Sequence, residues 1–253
     1  MNYRQPFPSL FFFAVLSLFI SGCMPLRPTT DPLMDKKAFS LSNEVRSFNR
    51  QIKASRGKGW AKLETPDKTD RYRMAWAAVY PDKIRITFLL SGNPIETVIS
   101  TGEKISFISH TGKHDLYSDN SKDPDMKDYL EVPVKISELI SILLGHIPLK
   151  DYDDAYFSPS DSSLSTIITH QKQKDGAQHL NISGNGKTNR IQSLDNFGKP
   201  LYEIHVLEYK QYEPNDIPVK LQITDKESRR LTLDITDFEA NPLIKDTVFQ
   251  LTE

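Results

Sequence analysis

Two neighbouring stretches of alternating residues restrict the fold of this chain more than any other feature. In residues 71–80, apolar side chains recur at every second position from Tyr72 through Met74 and Trp76. After a turn at Pro81 the same pattern returns over residues 84–90. A period of two is that of a β-strand with one face buried, and two such runs joined by a short turn predict a β-hairpin.

Further short strands are predicted on both sides of the helical stretch near residue 140. Their ranges are 95–100, 104–109, 114–117, 164–170, 179–183, 191–194, 202–209, 217–223 and 231–238, and 248–251 is a candidate for a last strand. Tight turns separate them, as in an antiparallel meander. The sequence therefore predicts a mainly β protein with α-helices (α+β), built on a strongly curved antiparallel sheet of about eleven strands.

Two segments carry helical periodicity instead. The first predicts a helix over residues 41–55, from a stripe formed by Leu41, Val45, Phe48 and Ile52. The second predicts a helix that has Pro133 in its first turn and ends at Gly145, with an apolar face formed by Ile136, Leu139, Ile140, Leu143 and Leu144. Residues 118–128 read as a loop and residues 151–154 as a solvated linker.

The N-terminus predicts export and lipid attachment. Met1 and Arg4 precede an apolar run over residues 10–20, which is too short to span a bilayer. The end of this run and the residues after it read Ile20-Ser21-Gly22-Cys23, which resembles the lipobox cleaved by lipoprotein signal peptidase. An ordinary secretory peptide that ends near a free cysteine is the alternative.

The lipobox implies a division of the chain into three parts. Residues 1–22 are a signal peptide, residues 23–38 are the lipidated Cys23 followed by a proline-rich tether, and residues 39–253 are a single domain. Since Cys23 is the only cysteine, no disulfide is expected. Met24 follows it where enteric bacteria use Asp to retain a lipoprotein at the inner membrane, so the outer membrane is favoured.

Composition and motifs argue against several classes of function. The formal net charge is −1, and Lys and Arg are scattered, so no nucleic-acid partner is expected. Catalytic and nucleotide-binding motifs are not found, and we expect a protein that is not an enzyme and uses no cofactor. His110 and His114 flank a turn and could bind a metal weakly, but no third ligand is evident. The acidic positions Asp123, Asp125, Asp151, Asp153 and Asp154 lack a calcium-loop pattern and read as surface charge.

The apolar faces are the stronger signal. A curved sheet covered by amphipathic helices can enclose a dry cavity suited to acyl chains. Its predicted lining consists of Met74, Trp76, Ile84, Ile86, Phe88, Ile204 and Val206. The predicted lid is the second helix, with Leu139, Ile140, Leu143 and Leu144. The same residues could equally fill a solid core.

Three local matches resemble the outer-membrane lipoprotein receptor family LolB, which shares its fold with the periplasmic carrier LolA. They are the stretch from Leu89 to Ile95 with Asn93-Pro94, the stretch from Leu144 to Leu149, and the stretch from Phe197 and Gly198 through Tyr202 and Tyr209 to Ile217-Pro218. The order of a lipobox, a helix, a meander, a helical insertion and further strands agrees with that family.

The resemblance implies a half-open β-barrel whose open side is covered by helices. It implies a monomer that accepts the acyl chains of lipoproteins from a LolA-like carrier and inserts them in the outer membrane. It also implies a membrane-inserting loop at Leu90, Pro94 and Ile95, although Ile95 fits strand alternation too. Two departures weaken the match: Phe197 replaces a tryptophan, and Glu96 replaces a glycine beside the inserting residue.

Two other functions fit the same fold. One is an RseB-like sensor of lipids or envelope stress, and the other is an envelope assembly lipoprotein without a ligand. Both are non-enzymatic, and the sequence does not decide between them and the receptor.

Overall fold

The computed structural model describes residues 31–130, 134–163, 165–171 and 176–251. Pro32 to Glu253 form one compact unit. The signal peptide, Cys23 and the first part of the tether lie outside the described residues, as do Pro133 and Leu164. Among the described residues, no helix combines the length and the apolar composition that crossing a bilayer requires.

Thirteen strands of the described residues form one antiparallel sheet that does not close. In chain order they are β1 (Ala54–Glu64), β2 (Thr69–Val79), β3 (Lys83–Leu90), β4 (Asn93–Thr101), β5 (Ile105–Ser109), β6 (Tyr117–Asp119), β7 (Asp154–Phe157), β8 (Thr166–Gln171), β9 (Gly176–Ile182), β10 (Thr188–Leu194), β11 (Pro200–Tyr212), β12 (Asn215–Asp225) and β13 (Arg230–Ala240). Their spatial order is β6-β5-β4-β3-β2-β1-β13-β12-β11-β10-β9-β8-β7. The α+β class and the curved, unclosed sheet are confirmed, and the count of about eleven strands was too low.

The two additional strands are β1 and β7, and both were hidden by their composition. Gly57 and Gly59 interrupt the apolar alternation of β1, because a glycine carries no side chain that could mark a buried position. The short strand β7 begins at Asp154, inside the acidic stretch that reads as a solvated linker. Without β1 the sheet would have no strand between β2 and β13.

Helix α1 spans Pro32–Ser47, so it begins and ends earlier than the predicted range 41–55. The chain leaves the helix at Asn49, whose φ of 57° lies in the left-handed region. Ile52, the last residue of the predicted stripe, is fully buried but belongs to the connection into β1. The position of Ile52 in the predicted stripe is thus explained by its burial in the core and not by helical structure.

In the described part of the chain between β6 and β7 lie the helices α2 (Lys127–Leu130) and α3 (Ile136–Leu143). Because β6 and β7 are the two edges of the sheet, this insertion links one edge to the other. Helix α1 packs against β7 and covers that edge, which leaves its unpaired backbone groups less accessible to other chains.

The last predicted strand, 248–251, is wrong. Asp246–Phe249 form a 3-10 helix that packs on β3 and β4. Phe249 is buried, and the Arg85 guanidinium donates to the Val248 carbonyl at 3.1 Å. The apolar residues of this segment therefore cover the sheet and do not extend it.

Candidate functional site

The concave face of the sheet is apolar where the sequence predicts a lining. In the pairing of β2 with β3, Met74 lies opposite Phe88 and Trp76 lies opposite Ile86. Since directly opposite residues project to the same face, these side chains form one apolar surface. Phe88 is half-buried, and the other predicted lining residues are buried: Met74, Trp76, Ile84, Ile86, Ile204 and Val206.

The lid residues pack against this surface. Leu139, Ile140, Leu143 and Leu144 are buried and share one continuous core with the buried lining residues. Helix α3 therefore occupies the concave face in this structure, and its apolar side chains cover the lining. Acyl chains would have to displace the helix to reach the lining, because the two would bury the same surface.

A buried hydrogen-bond bridge ties the end of α3 to the sheet. The Trp76 Nε1–H donates to the Ser55 hydroxyl at 3.0 Å, and the Ser55 hydroxyl donates to the Leu143 carbonyl at 2.7 Å. The carbonyls of the last helical turn have no partner within the helix, so this bond satisfies one of them. Trp76 is itself a predicted lining residue, and Ser55 lies on β1, the strand paired with it.

The segment after α3 is fixed by two further side chains. The Asn49 amide donates to the Gly145 carbonyl and to the Asp216 carbonyl, each at 2.8 Å. The His146 Nε2–H donates to the Ile52 carbonyl at 2.9 Å. Burial lowers the pKa of His146 to about 4, because the interior disfavours an imidazolium. His146 is consequently neutral in the folded protein at pH 7.

The start of α3 carries a buried carboxylate. Glu138 is only 7% exposed and accepts a short hydrogen bond from the Tyr202 hydroxyl. It also accepts from the Lys135 backbone N–H at 3.0 Å, and the Lys150 ammonium lies 3.8 Å away. Burial and the neighbouring Glu138 charge raise the pKa of Tyr202 well above its usual range. Helix α3 is therefore held near both of its ends by buried polar contacts.

The predicted membrane loop is the turn between β3 and β4. Ser91 and Gly92 have positive φ values of 51° and 87°, and Leu90 beside them is 55% exposed. Pro94 is exposed as well, whereas Ile95 is half-buried within β4. Leu90 and Pro94 are thus exposed apolar residues of this turn, whereas Ile95 is partly covered.

The two histidines considered for a metal do not converge. His110 bonds the Thr97 hydroxyl at 2.9 Å, and His114 pairs with Glu96 at 3.0 Å. Because Thr97 and Glu96 are consecutive in β4, their side chains project to opposite faces of the sheet. No group of three or more metal-ligating side chains occurs within the described part of the chain, the acidic positions included.

Comparison with known proteins gives a fold and no closer relative. No family model and no curated protein matches the sequence. Solved structures do match: a domain described as an outer membrane lipoprotein-sorting protein from Vibrio parahaemolyticus has 12% identity and a TM-score of 0.59, and the match covers 85% of this chain and 97% of that one. A LolA superfamily protein from Nitrosomonas europaea has 12% identity and a TM-score of 0.57 over 85% and 97% of the two chains. This chain has the LolA/LolB fold.

A DUF1329 family protein from Desulfovibrio piger is also similar in structure, with 8% identity and a TM-score of 0.63 over 87% of this chain and 98% of that one. At these identities the likeness concerns the fold alone. The expected fold is thereby confirmed from structure, although the sequence resemblance rested on three short stretches.

The polar residues that hold α3 were not identified from the sequence. Glu138 lies on the side of the helix opposite the predicted apolar stripe, where a charged residue is expected to face solvent, so its burial could not be read from the periodicity. A buried carboxylate requires a partner. Its partner Tyr202 is 64 residues away, and only the packing of α3 on β11 brings the two together.

Proposed function

We propose that this chain is a non-enzymatic lipid-binding and transfer protein of the bacterial envelope. It is anchored to the outer membrane through a lipid on Cys23 and faces the periplasm. It accepts the acyl chains of lipoproteins from a LolA-like soluble carrier and delivers them to the membrane. The observation that carries this proposal is the apolar concave face that is covered by a helix of the β6–β7 insertion, α3.

Transfer by such a protein needs no bond-making chemistry. An acyl chain gains about 0.8 kcal/mol for each methylene it buries. Apolar helix side chains and acyl chains are therefore competitors for one surface, and only their relative affinities determine which of them occupies it. The similarity to the Vibrio and Nitrosomonas proteins supports an envelope role, because these are described as an outer membrane lipoprotein-sorting domain and a LolA superfamily protein.

Native mass spectrometry tests the lipid-binding part of the proposal. The chain from Met24 to Glu253, purified without detergent from a bacterial envelope, should carry acyl-chain ligands that extraction with organic solvent removes. A protein that stays ligand-free, and that takes up no lipoprotein or free acyl lipid when mixed with either, would contradict the proposal.

Depletion in the source organism tests the receptor role separately. We expect lipoproteins to accumulate in complex with the soluble carrier when this protein is lost. If the other lipoproteins reach the outer membrane normally while the purified protein still binds lipid, then the receptor role is wrong and the sensor function becomes the better account.

Contact with the membrane is proposed to occur at the β3–β4 turn, through Leu90 first and then Pro94 and Ile95. A Leu90→Glu variant should lose most of its transfer to vesicles, because a carboxylate is costly in the membrane. Ile95→Glu should have a smaller effect, since this side chain is half-buried in the strand. Undiminished transfer by both variants would remove this turn from the mechanism.

A further inference from the structure

The concave face changes character along the strands β8 to β11. One row of opposite residues is fully buried and apolar, and it consists of Ile167, Leu180, Ile191 and Ile204. The next row on the same face, two residues along each strand, is polar and almost as buried. It consists of Thr169, Gln178, Ser193 and Tyr202.

The residues of this row are polar although they do not face solvent. The exposed fractions are 2% for Thr169, 2% for Gln178, 0% for Ser193 and 8% for Tyr202. A buried polar group lowers stability unless it is hydrogen-bonded, so each of these side chains needs a partner. The partners of Ser193 and Tyr202 are the charged groups of Lys150 and Glu138.

Lys150 and Tyr202 form a small anion-binding arrangement that Glu138 fills. The Lys150 ammonium donates to the Ser193 hydroxyl at 2.9 Å and lies 3.8 Å from the Glu138 carboxylate. The Tyr202 hydroxyl donates to the same carboxylate oxygen. Thr169 and Gln178 have other partners. The Gln178 side-chain oxygen accepts from the Lys150 backbone N–H at 2.8 Å, and the Thr169 hydroxyl donates to the backbone carbonyl of Gln178.

Displacement of α3 would leave this arrangement without its anion. Glu138 belongs to α3, whereas Lys150, Ser193 and Tyr202 do not. When the helix leaves the concave face, the Tyr202 hydroxyl and the Lys150 ammonium lose the carboxylate that they contact. A shallow opening lined in part by Lys150, Asp151, Thr169 and Gln178 lies beside the polar row.

We propose that the preferred ligands are amphiphiles with an anionic oxygen head group, a carboxylate or a phosphate, and that Glu138 is the internal stand-in for that head group. The head group binds Tyr202 and Lys150 on the polar row, while the acyl chain lies along the apolar row of Ile167, Leu180, Ile191 and Ile204. This inference rests on the proposed lipid-binding function and names the class of molecule that the face selects.

Competition for a fluorescent acyl probe on the chain from Met24 to Glu253, which contains the whole compact unit, tests the inference. The competitors are palmitate, monopalmitoyl phosphatidic acid and the uncharged hexadecanol. Palmitate or the phosphatidic acid should bind about tenfold more tightly than hexadecanol, the factor expected for a hydrogen bond to a charged group. The stronger of the two identifies the head group as a carboxylate or a phosphate.

Lys150→Met should abolish the preference for charged ligands over hexadecanol. Lys104→Met is the matched control, because Lys104 is exposed in the turn between β4 and β5, and it should retain the preference. Glu138→Gln is a second variant, which replaces the carboxylate by an amide of similar size and so removes the competing charge. Its affinity for the charged ligands should rise.

The outcomes separate the two proposals. Equal binding of charged and uncharged amphiphiles by the unmodified protein, an unchanged preference in Lys150→Met, or weaker binding of charged ligands by Glu138→Gln would overturn the head-group inference and leave lipid binding intact. Binding of none of the three amphiphiles would overturn both.

Discussion

At the scale of single residues, Ser55 connects the lining to the lid. Its hydroxyl accepts from Trp76 and donates to the Leu143 carbonyl, and it is fully buried. Removing it leaves a buried donor and a buried acceptor without a partner, which costs about 1–3 kcal/mol for each unsatisfied group. The bridge therefore orients Trp76 and fixes the end of α3 at the same time.

We expect Ser55→Ala to lower the free energy of unfolding by about 2 kcal/mol or more, measured by urea denaturation. Ser47→Ala is the matched control, since the Ser47 hydroxyl bonds only the exposed Glu44 carbonyl of its own helix. The control should change stability by less than about 0.5 kcal/mol. Equal effects of the two substitutions would show that the bridge contributes nothing.

His146 makes stability depend on pH below neutrality. Its pKa falls from 6.5 to about 4 on folding, so the unfolded chain binds the proton more readily. Stability is therefore full above pH 6.5 and is lost as the pH falls toward 4. The loss between pH 7 and pH 5 should be about 2 kcal/mol.

Urea denaturation at several pH values measures this dependence, and His146→Gln isolates its source. The amide can still donate to the Ile52 carbonyl but does not titrate. The pKa of His179 is also lowered by burial, and its contribution remains in both proteins. Identical pH dependence in the variant and the unmodified protein would mean that His146 is not responsible.

At the scale of elements, strand β1 shows how a small residue sets a position in the lining. The Trp76 ring lies directly over Gly57, and a methyl group built there would lie 2.4 Å from the ring and 2.3 Å from the Asp237 carbonyl. Real contacts of that kind do not occur, so either the strand or the ring would have to move.

Gly57→Ala should lower the free energy of unfolding by about 1–3 kcal/mol, as judged from the midpoint of urea denaturation, and should shift the fluorescence of Trp76. Gly184→Ala is its control, because no atom lies within 4 Å of a methyl group at that position. A Gly57→Ala protein as stable as the control would contradict the packing described for Trp76.

Most elements could be predicted from the sequence because their burial has a simple period. Alternation identified the hairpin of β2 and β3 and its lining residues, and an apolar stripe identified α3. The predictions failed where a buried residue lies outside a regular element, where a strand lacks apolar alternation, or where a contact joins distant segments. The stripe to Ile52 continued into a buried connection, Gly57 and Gly59 hid β1, and the contact between Glu138 and Tyr202 depends on packing between distant segments.

At the scale of the whole molecule, the open sheet and the helical insertion belong together. The sheet does not close, so its edges β6 and β7 remain unpaired with each other, and the chain that links these edges supplies the helix that covers the concave apolar face. The central claim of this account is that α3 and acyl chains compete for that face, with buried polar contacts holding the helix in the absence of ligand.

Amide hydrogen exchange of α3 with and without a saturating acyl ligand tests this competition most directly. The account predicts that the amides of residues 136–145 exchange at least about tenfold faster when palmitate is bound, while those of β11, β12 and β13 keep their protection. Unchanged or slower exchange in residues 136–145 with ligand bound would contradict it, because the helix would then have stayed on the face that the ligand is proposed to take.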